Sequence, residues 1–470
     1  MAQPIVRTAA DMSNDPIWWP RGVGAAAGHP PLSGGHDADL AIVGGGLAGL
    51  ATAYYASIAR PDMTIVVLEA GFVGAGATGR STGIVSPGLS IPLPRLRRRI
   101  GDARTLAAFD ASQHGVRLLR ELIKSEHIDC DARDEPHTLT VLTGRQRARM
   151  NAHLRVLAEL GRPVRRLTGT ELIAAAGHGY AAGFSYDDAM VIDPYRLLAG
   201  LVATLRARGV MVYENSHVQS VDCSGRAPKL TTASGVVTAR RVLYTVDGYA
   251  DRLNPMRTSV VALRTHLLAT EPLSDAQVAG LGWAGRGGII DQRNFFNYYR
   301  MTADRRLVFG GGPALVPTGK PAVDDARSAA VQRRIDHELL QRFPSLAEVE
   351  VAARWSGLTA SSTDRLPVVG PVPGQDGCFY AGAWCGHGFA MSVDTAWRFA
   401  ETLTGGPQPR LPWSRSGAQP VPTALARGTG VRAYLRFLDY SDRTGLRLAG
   451  RSPRAQMSRS RLERQTQEQP

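Results

Sequence analysis

Residues 39–71 read DLAIVGGGLAGLATAYYASIARPDMTIVVLEAG, a stretch that few folds accept. An apolar run ends in three glycines, a segment with helical spacing follows, and a second apolar run closes on an acid, Glu69. Gly44, Gly46 and Gly49 stand in the G-x-G-x-x-G spacing. The first permits a tight turn, the second lets the backbone approach a pyrophosphate, and the third lets helix and strand touch. The helix expected directly after Gly49, LATAYYAS, offers unpaired N–H groups and a partial positive charge at its N-terminus to phosphate oxygens, and Leu47 and Ala48 of the turn count among the expected cofactor-binding residues. Glu69 falls 20 residues after Gly49, where a carboxylate accepts hydrogen bonds from an adenosine ribose and repels a 2′-phosphate. Glycine turns alone are common. A strand, turn, helix, strand and acid in one register point to a dinucleotide and disfavour NADP, leaving NAD and FAD open.

The continuation, EAGFVGAGATGRSTGIVSPG over residues 69–88, separates the two. Ala70, Gly79, Arg80, Ser81 and Thr82 belong to a second loop of small residues directly after the acid. FAD is longer than its adenosine half and needs backbone contact along the ribityl chain and the flat ring. Small side chains allow that approach, while Arg80 either offsets phosphate charge or orders the loop.

Composition removes other classes. A chain of 470 residues with 44% hydrophobic and 20% charged residues is that of a soluble globular protein of two or more domains. No window holds the apolar run of about 18 residues that a membrane span requires. The first twenty residues place Asp, Asn and Pro where a signal peptide needs an apolar centre, so the expected location is cytoplasmic. Cys130, Cys223, Cys378 and Cys385 form no C-x-x-C pair, and neither structural zinc nor any other metal, nor a disulfide framework, is expected. The net charge of +14 is spread along the chain, apart from clusters at 95–99 and 443–464. Neither cluster has the interleaved aromatics of a nucleic-acid surface, so no nucleic-acid partner is expected.

Hydrophobic spacing predicts helices at 106–122, 150–160, 194–209 and 325–343, and strands at 139–144 and 210–214. Two strand-like runs span 229–248, and strands alternate with turns over 260–312. Residues 377–405 read as a strand, a glycine-rich turn and a helix. Residues 1–37 read as an extended arm anchored by Trp18 and Trp19. Beyond 406 a Pro/Arg-rich tail holds one helix at 431–438 and ends in twenty residues expected to be disordered.

Together, AIVGGGLAGLATAYY, LEAGFVGAGATGRSTG, VIDPYRLLAGL, HVQSVD, VLYTVDGYADRL, WSGLTASSTDRLPVVGPV and AGAWCGHGF resemble the D-amino-acid oxidase-like superfamily of FAD-dependent amine and amino-acid oxidoreductases. The resemblance runs from about residue 16 to 440. The opening DPIWWP and the late LPW and RAYLRFLDY are most similar to its γ-glutamylputrescine oxidase branch. It implies an α/β fold, a Rossmann-like FAD-binding domain with an inserted α+β substrate domain on an antiparallel sheet. The implied division is FAD-binding at 38–95, 185–255 and 355–405, substrate-binding at 96–184 and 256–354, and an extension from 406. Val218 would present its backbone to adenine and Gly248 would lie near the pyrophosphate. Gly382, Gly386, His387, Gly388 and Phe389 would follow the isoalloxazine ring. The helix after them would aim its positive end at the flavin N1–C2=O, where reduced flavin carries negative charge.

Two departures matter. Branches with covalent flavin carry a cysteine before the DRLP-like segment, whereas residues 354–358 read RWSGL, so non-covalent FAD is expected. Sarcosine oxidases use a lysine near the flavin to activate oxygen, and Val308 stands at the matching place. Either O2 or another electron acceptor therefore fits.

Such an enzyme removes a hydride from the carbon beside nitrogen in a small amine or amino acid, leaving an imine that water hydrolyses; no protein base is obligatory. Candidate catalytic residues are His387, whose titration range suits proton handling, and Tyr299 and Arg300 of FFNYYR, where alternation would aim Tyr299 and one neighbour at the cavity. His266 and Arg354 are weaker candidates. The competing readings are an aromatic-ring monooxygenase, disfavoured because AGAWCGHGF lacks the late Gly-Asp pair, and a non-catalytic flavoprotein.

Overall fold

A computed structural model describes residues 18–19, 28–252, 258–283, 285, 287–404, 411–413 and 426–450. Most of the expected N-terminal arm, and the final twenty residues read as disordered, lie outside the described residues.

The DLAIV run forms the end of a longer strand, Gly34–Val43, at the centre of the first sheet. It pairs in parallel with Ile65–Leu68 on one side and Gly235–Tyr244 on the other. Met211–Tyr213 and Cys378–Gly382 extend the parallel array outward on the two sides. The helix Leu47–Ala59 leaves the central strand through the glycine turn and packs against the helix Gly388–Leu403. Because the chain winds to opposite sides of one central strand, a crevice opens at the carboxyl ends of the parallel strands. Gly44, Glu69, Thr245 and Ala383 all follow immediately, or within one residue, on those ends.

The second sheet has eight strands in the order Val351–Ser362, Val260–Thr270, Leu307–Leu315, Tyr298–Met301, Ile289–Asp291, His137–Val141, Ala182–Tyr186, Arg165–Leu167. It is antiparallel except where Ile289–Asp291 runs parallel to His137–Val141. The expected domain boundaries at 184/185 and 354/355 fall inside strands of this sheet, Ala182–Tyr186 and Val351–Ser362. One face is covered by the helix Pro321–Arg342, which buries Val331, Ile335 and Leu339 against Leu268, Tyr299 and Phe309. Each such buried side chain contributes on the order of 1.5–3 kcal/mol.

The remaining elements follow the predicted pattern, most helices running longer than expected and the one at 194–209 ending earlier, at Ala207. The expected helix at 106–122 spans Leu93–Ser125, broken at Gly101, whose φ is +78°. The helix predicted at 431–438 runs from Val431 to Gly450. It is docked by Asp442, whose carboxylate accepts from the backbone N–H groups of Asn294 (3.0 Å) and Phe295 (2.9 Å), and by an ion pair between Asp439 and Arg334. Trp18 and Trp19 are buried against Val308 and Trp355. Among the described residues no helix is long and apolar enough to cross a membrane, and no cluster of ligating side chains could hold a metal.

Candidate active site

The glycine turn is shaped by its neighbours. Gly44 has φ +116°, and a Cβ there would meet Thr245 at 3.0 Å. A Cβ on Gly49 would lie 2.1 Å from the Gly44 carbonyl oxygen, so helix and strand approach as closely as the spacing required. Thr245, unremarked in the sequence, donates its hydroxyl to the carbonyl oxygens of Val43 (3.0 Å) and Gly44 (3.2 Å) and fixes the turn. Gly46 brings no side chain to cap the Leu47–Ala59 helix, and in its first turn the Leu47 N–H donates to Thr78 Oγ1 (3.2 Å), while the helix N-terminus keeps its partial positive charge toward a phosphate. Glu69 is buried. Its carboxylate accepts from the N–H groups of Gly45 (2.7 Å) and Gly71 (2.9 Å), and burial pushes its pKa up despite them. A carboxylate has room for about four hydrogen bonds, so capacity for ribose hydroxyls remains. Ala70 follows Glu69 at half-buried depth, and Val218 lies buried in the apolar layer of the same sheet.

In the second loop, Arg80 donates Nε to the Ala75 carbonyl (2.7 Å) and Nη1 to that of Ser356 (3.0 Å). Of its two sequence-level roles, ordering the loop is the one these bonds support. Two indoles complete the loop's attachment: Trp355 donates to the Arg80 carbonyl (2.9 Å) and Trp19 to the Ser81 carbonyl (2.8 Å). A Cβ at Gly79 would lie 2.2 Å from the Gly74 oxygen.

Residues 383–387 make a turn in which Ala383, Cys385 and Gly386 have φ of +57°, +53° and +91°. Two non-glycine residues in that region need an external restraint. Asp247 supplies one: its buried carboxylate accepts from the N–H groups of Ala383 (2.9 Å) and Ala360 (2.9 Å). Asp247 was missed in favour of the adjacent Gly248, which packs against Leu358; a Cβ at Gly248 would meet Leu358 at 2.9 Å. Gly382 ends the strand, His387 precedes the helix, and Gly388 and Phe389 open it. Cys385 donates its thiol to the Ala383 carbonyl (3.1 Å).

His387 sits beside the loop at Gly88; a Cβ there would lie 3.9 Å from its Nε2. Two residues earlier, Ser86 Oγ bonds His137 Nδ1 at 2.7 Å. His137, at the start of a second-sheet strand, was not among the sequence candidates. One histidine in a loop-like DEPHT carries no signal until the strand brings it to Ser86. Burial pushes His387 down to about 4, with Arg365 adding to it, and pushes His137 down to about 3, with His387 adding to it. Both rings are neutral near pH 7. His137 Nε2 and His387 Nδ1 are buried without a hydrogen-bond partner.

Four catalytic candidates are corrected. Tyr299 faces the Pro321–Arg342 helix, not the cavity side: it is fully buried between Trp283, Phe309 and Phe343, and its hydroxyl meets that of Tyr180 at 2.8 Å. Alternation instead puts Tyr298 and Arg300 on the opposite face. Arg300 is not free for a carboxylate, since Nε donates to Thr82 O (2.5 Å), Nη2 to Ile192 O (2.5 Å), and its guanidinium lies over Trp19. Burial pulls its pKa down to about 10. Arg354 pairs with Asp336 at the surface (2.8 Å), and His266 lies buried within the second sheet.

The family described as FAD dependent oxidoreductase matches residues 39–402. The chain belongs to this FAD dependent oxidoreductase family. It is 30% identical over 375 residues to gamma-glutamylputrescine oxidoreductase of Escherichia coli K12, covering 78% of this chain and 84% of the relative. The crystal structure of glycine oxidase from Geobacillus kaustophilus superposes with a TM-score of 0.63 at 21% identity, covering 78% of this chain and 94% of that one. L-proline dehydrogenase from P. horikoshii superposes at 0.64 and 17%, covering 82% and 96%. The protein is an FAD-dependent oxidoreductase with a Rossmann-like fold. Its residues fit the cofactor: the glycines leave no side chain where the pyrophosphate must approach, the helix begins without a side chain at its Gly46 cap, and Glu69 keeps acceptor capacity.

Proposed function

We propose that the enzyme oxidises a C–N bond in a small amine or amino acid. The observation that carries this is the convergence of His137 and His387, two neutral imidazoles from different sheets, on residues 86–88 beside the dinucleotide crevice. Bound FAD supplies the two-electron acceptor, taking a hydride from the carbon next to nitrogen. The chain's own task is to seat the amine nitrogen. A ring that is neutral at pH 7 accepts a hydrogen bond from that nitrogen, which a protonated ring would repel. Asp247 holds the 383–387 turn, and with it His387 and the helix start, in one geometry. The names of the relatives agree in kind, since one acts on gamma-glutamylputrescine, one on glycine and one on L-proline. Residues 44–49, 69–71, 79–82, 218, 247–248 and 382–389 are proposed to hold FAD without a covalent bond. No free cation faces a substrate carboxylate from Arg300, which favours an amine over an α-amino acid held at that position.

The test is anaerobic mixing of FAD-loaded protein with a panel of amines, D-amino acids and polyamine derivatives, followed in the flavin's visible band. Bleaching by at least one amine supports the reading; a band unchanged by all of them defeats it. Admitting air to the reduced protein and assaying peroxide then separates O2 from another acceptor.

A further inference from the structure

Cys223 and Cys378, 155 residues apart, bring their sulfurs to 3.4 Å. Both are free thiols, Cys378 buried and Cys223 half-exposed. Cys223 follows the outer strand Ser220–Asp222, and Cys378 opens the strand Cys378–Gly382, which leads directly into the 383–387 turn. A disulfide needs a sulfur separation of about 2.05 Å, so closure asks for a movement of roughly 1.4 Å. Side-chain rotation about the two Cα–Cβ bonds supplies displacements of that size.

We propose that Cys223 and Cys378 are a peroxide-oxidisable pair that closes to a disulfide and staples the outer hairpin of the first sheet to the strand carrying the flavin-side turn. The accessible Cys223 thiolate attacks one oxygen of hydrogen peroxide; the O–O bond breaks, Cys223 becomes a sulfenic acid, and the other oxygen leaves as water after taking a proton. Cys378 then attacks that sulfur, the S–O bond breaks, and the hydroxyl leaves as a second water with the Cys378 proton. Two thiols lose two electrons and one peroxide gains them. Cys378 makes the poorer first nucleophile, because burial pushes its thiol up to about 12. The remaining cysteines have no thiol partner of this kind: Cys130 is buried, and Cys385 is turned onto the Ala383 carbonyl.

A closed loop of this length constrains the unfolded chain strongly. The oxidised protein therefore resists unfolding, and the strand that leads into the turn before the Gly388–Leu403 helix is tied to the outer hairpin of the sheet. Added peroxide serves as oxidant in the test, so its outcome is independent of turnover and of the acceptor.

Holoprotein is treated with a small excess of hydrogen peroxide, denatured, and its thiols counted; the expected count falls from four to two. Peptide mapping without reductant should join the peptides of Cys223 and Cys378 with the loss of two hydrogens. Thermal unfolding should move up by a few degrees and return on adding dithiothreitol. In Cys378→Ser the Cys223 sulfenic acid should persist and be trapped by dimedone. Four surviving thiols, a bridge that includes Cys130 or Cys385, or joining seen only in protein unfolded before oxidation would each overturn the proposal.

Discussion

The carboxylate of Asp247 joins the end of the Val351–Ser362 strand to the turn at Ala383, alongside the direct backbone bond from Cys385 N–H to the Ala360 carbonyl (3.2 Å). Removing it leaves two buried N–H groups unpaired, each costing about 1–3 kcal/mol. Asp247→Ala is expected to lower stability by about 2–3 kcal/mol in urea denaturation and to weaken FAD binding in a fluorescence titration, with Asp247→Asn intermediate. His137 has a different signature. His137→Asn keeps a polar group toward Ser86 but loses the neutral ring, and kcat/KM for the best amine should fall by roughly 10²-fold while FAD content stays unchanged. An unchanged kcat/KM would remove His137 from the amine site. Arg300 belongs with the supports: Arg300→Met leaves the Thr82 and Ile192 carbonyls unpaired, and its effect should appear as lost stability and FAD retention more than as a changed KM.

Among elements, the helix Gly388–Leu403 carries the most consequence, because its start faces the crevice and its body packs on two other helices. The Leu93–Ser125 helix approaches it at Gly115, where a Cβ would come 1.9 Å from the Ala390 carbonyl oxygen. Gly115→Ala must push the helices apart at the first turn beyond His387. The expected cost is about 1–3 kcal/mol of overpacking, with a raised FAD dissociation constant. Asp394, fully buried on the same helix, meets His114 of the Leu93–Ser125 helix (2.8 Å) and Arg398 one turn on (2.8 Å), so the two helices are joined at that level.

At the level of the whole molecule, several histidines are buried as neutral rings. His153 and His266 are held down to about 4 by burial, as is His387, and His137 to about 3, against an ordinary 6.5. Once unfolded they titrate near 6.5, so between there and about pH 4 the unfolded chain binds protons that the folded chain does not. Stability is then full above about pH 6.5 and is lost as pH falls. Melting temperatures measured from pH 7.5 to 4.5 should drop across that window, and His266→Asn should flatten the slope. Legibility followed contact range. Residues 39–88 and 377–405 were readable because strand, turn and helix alternate within short spans and the glycines answer to backbone geometry. Tyr299 was misplaced because alternation fixes two faces but not which of them meets the other domain. His137 and Asp247 escaped because each acts on segments far along the chain.

By itself the sequence determined the cofactor's fold: glycine spacing, helix start and terminal acid are local constraints, set by dihedral freedom and period within about thirty residues. Tertiary structure alone decided which side chains come together beside the crevice and in what state. Burial made His137 and His387 neutral, backbone carbonyls occupied Arg300, and chain crossing brought Cys223 to Cys378. Desolvation and partner occupancy are properties of packing, and no residue carries them before the chain has folded.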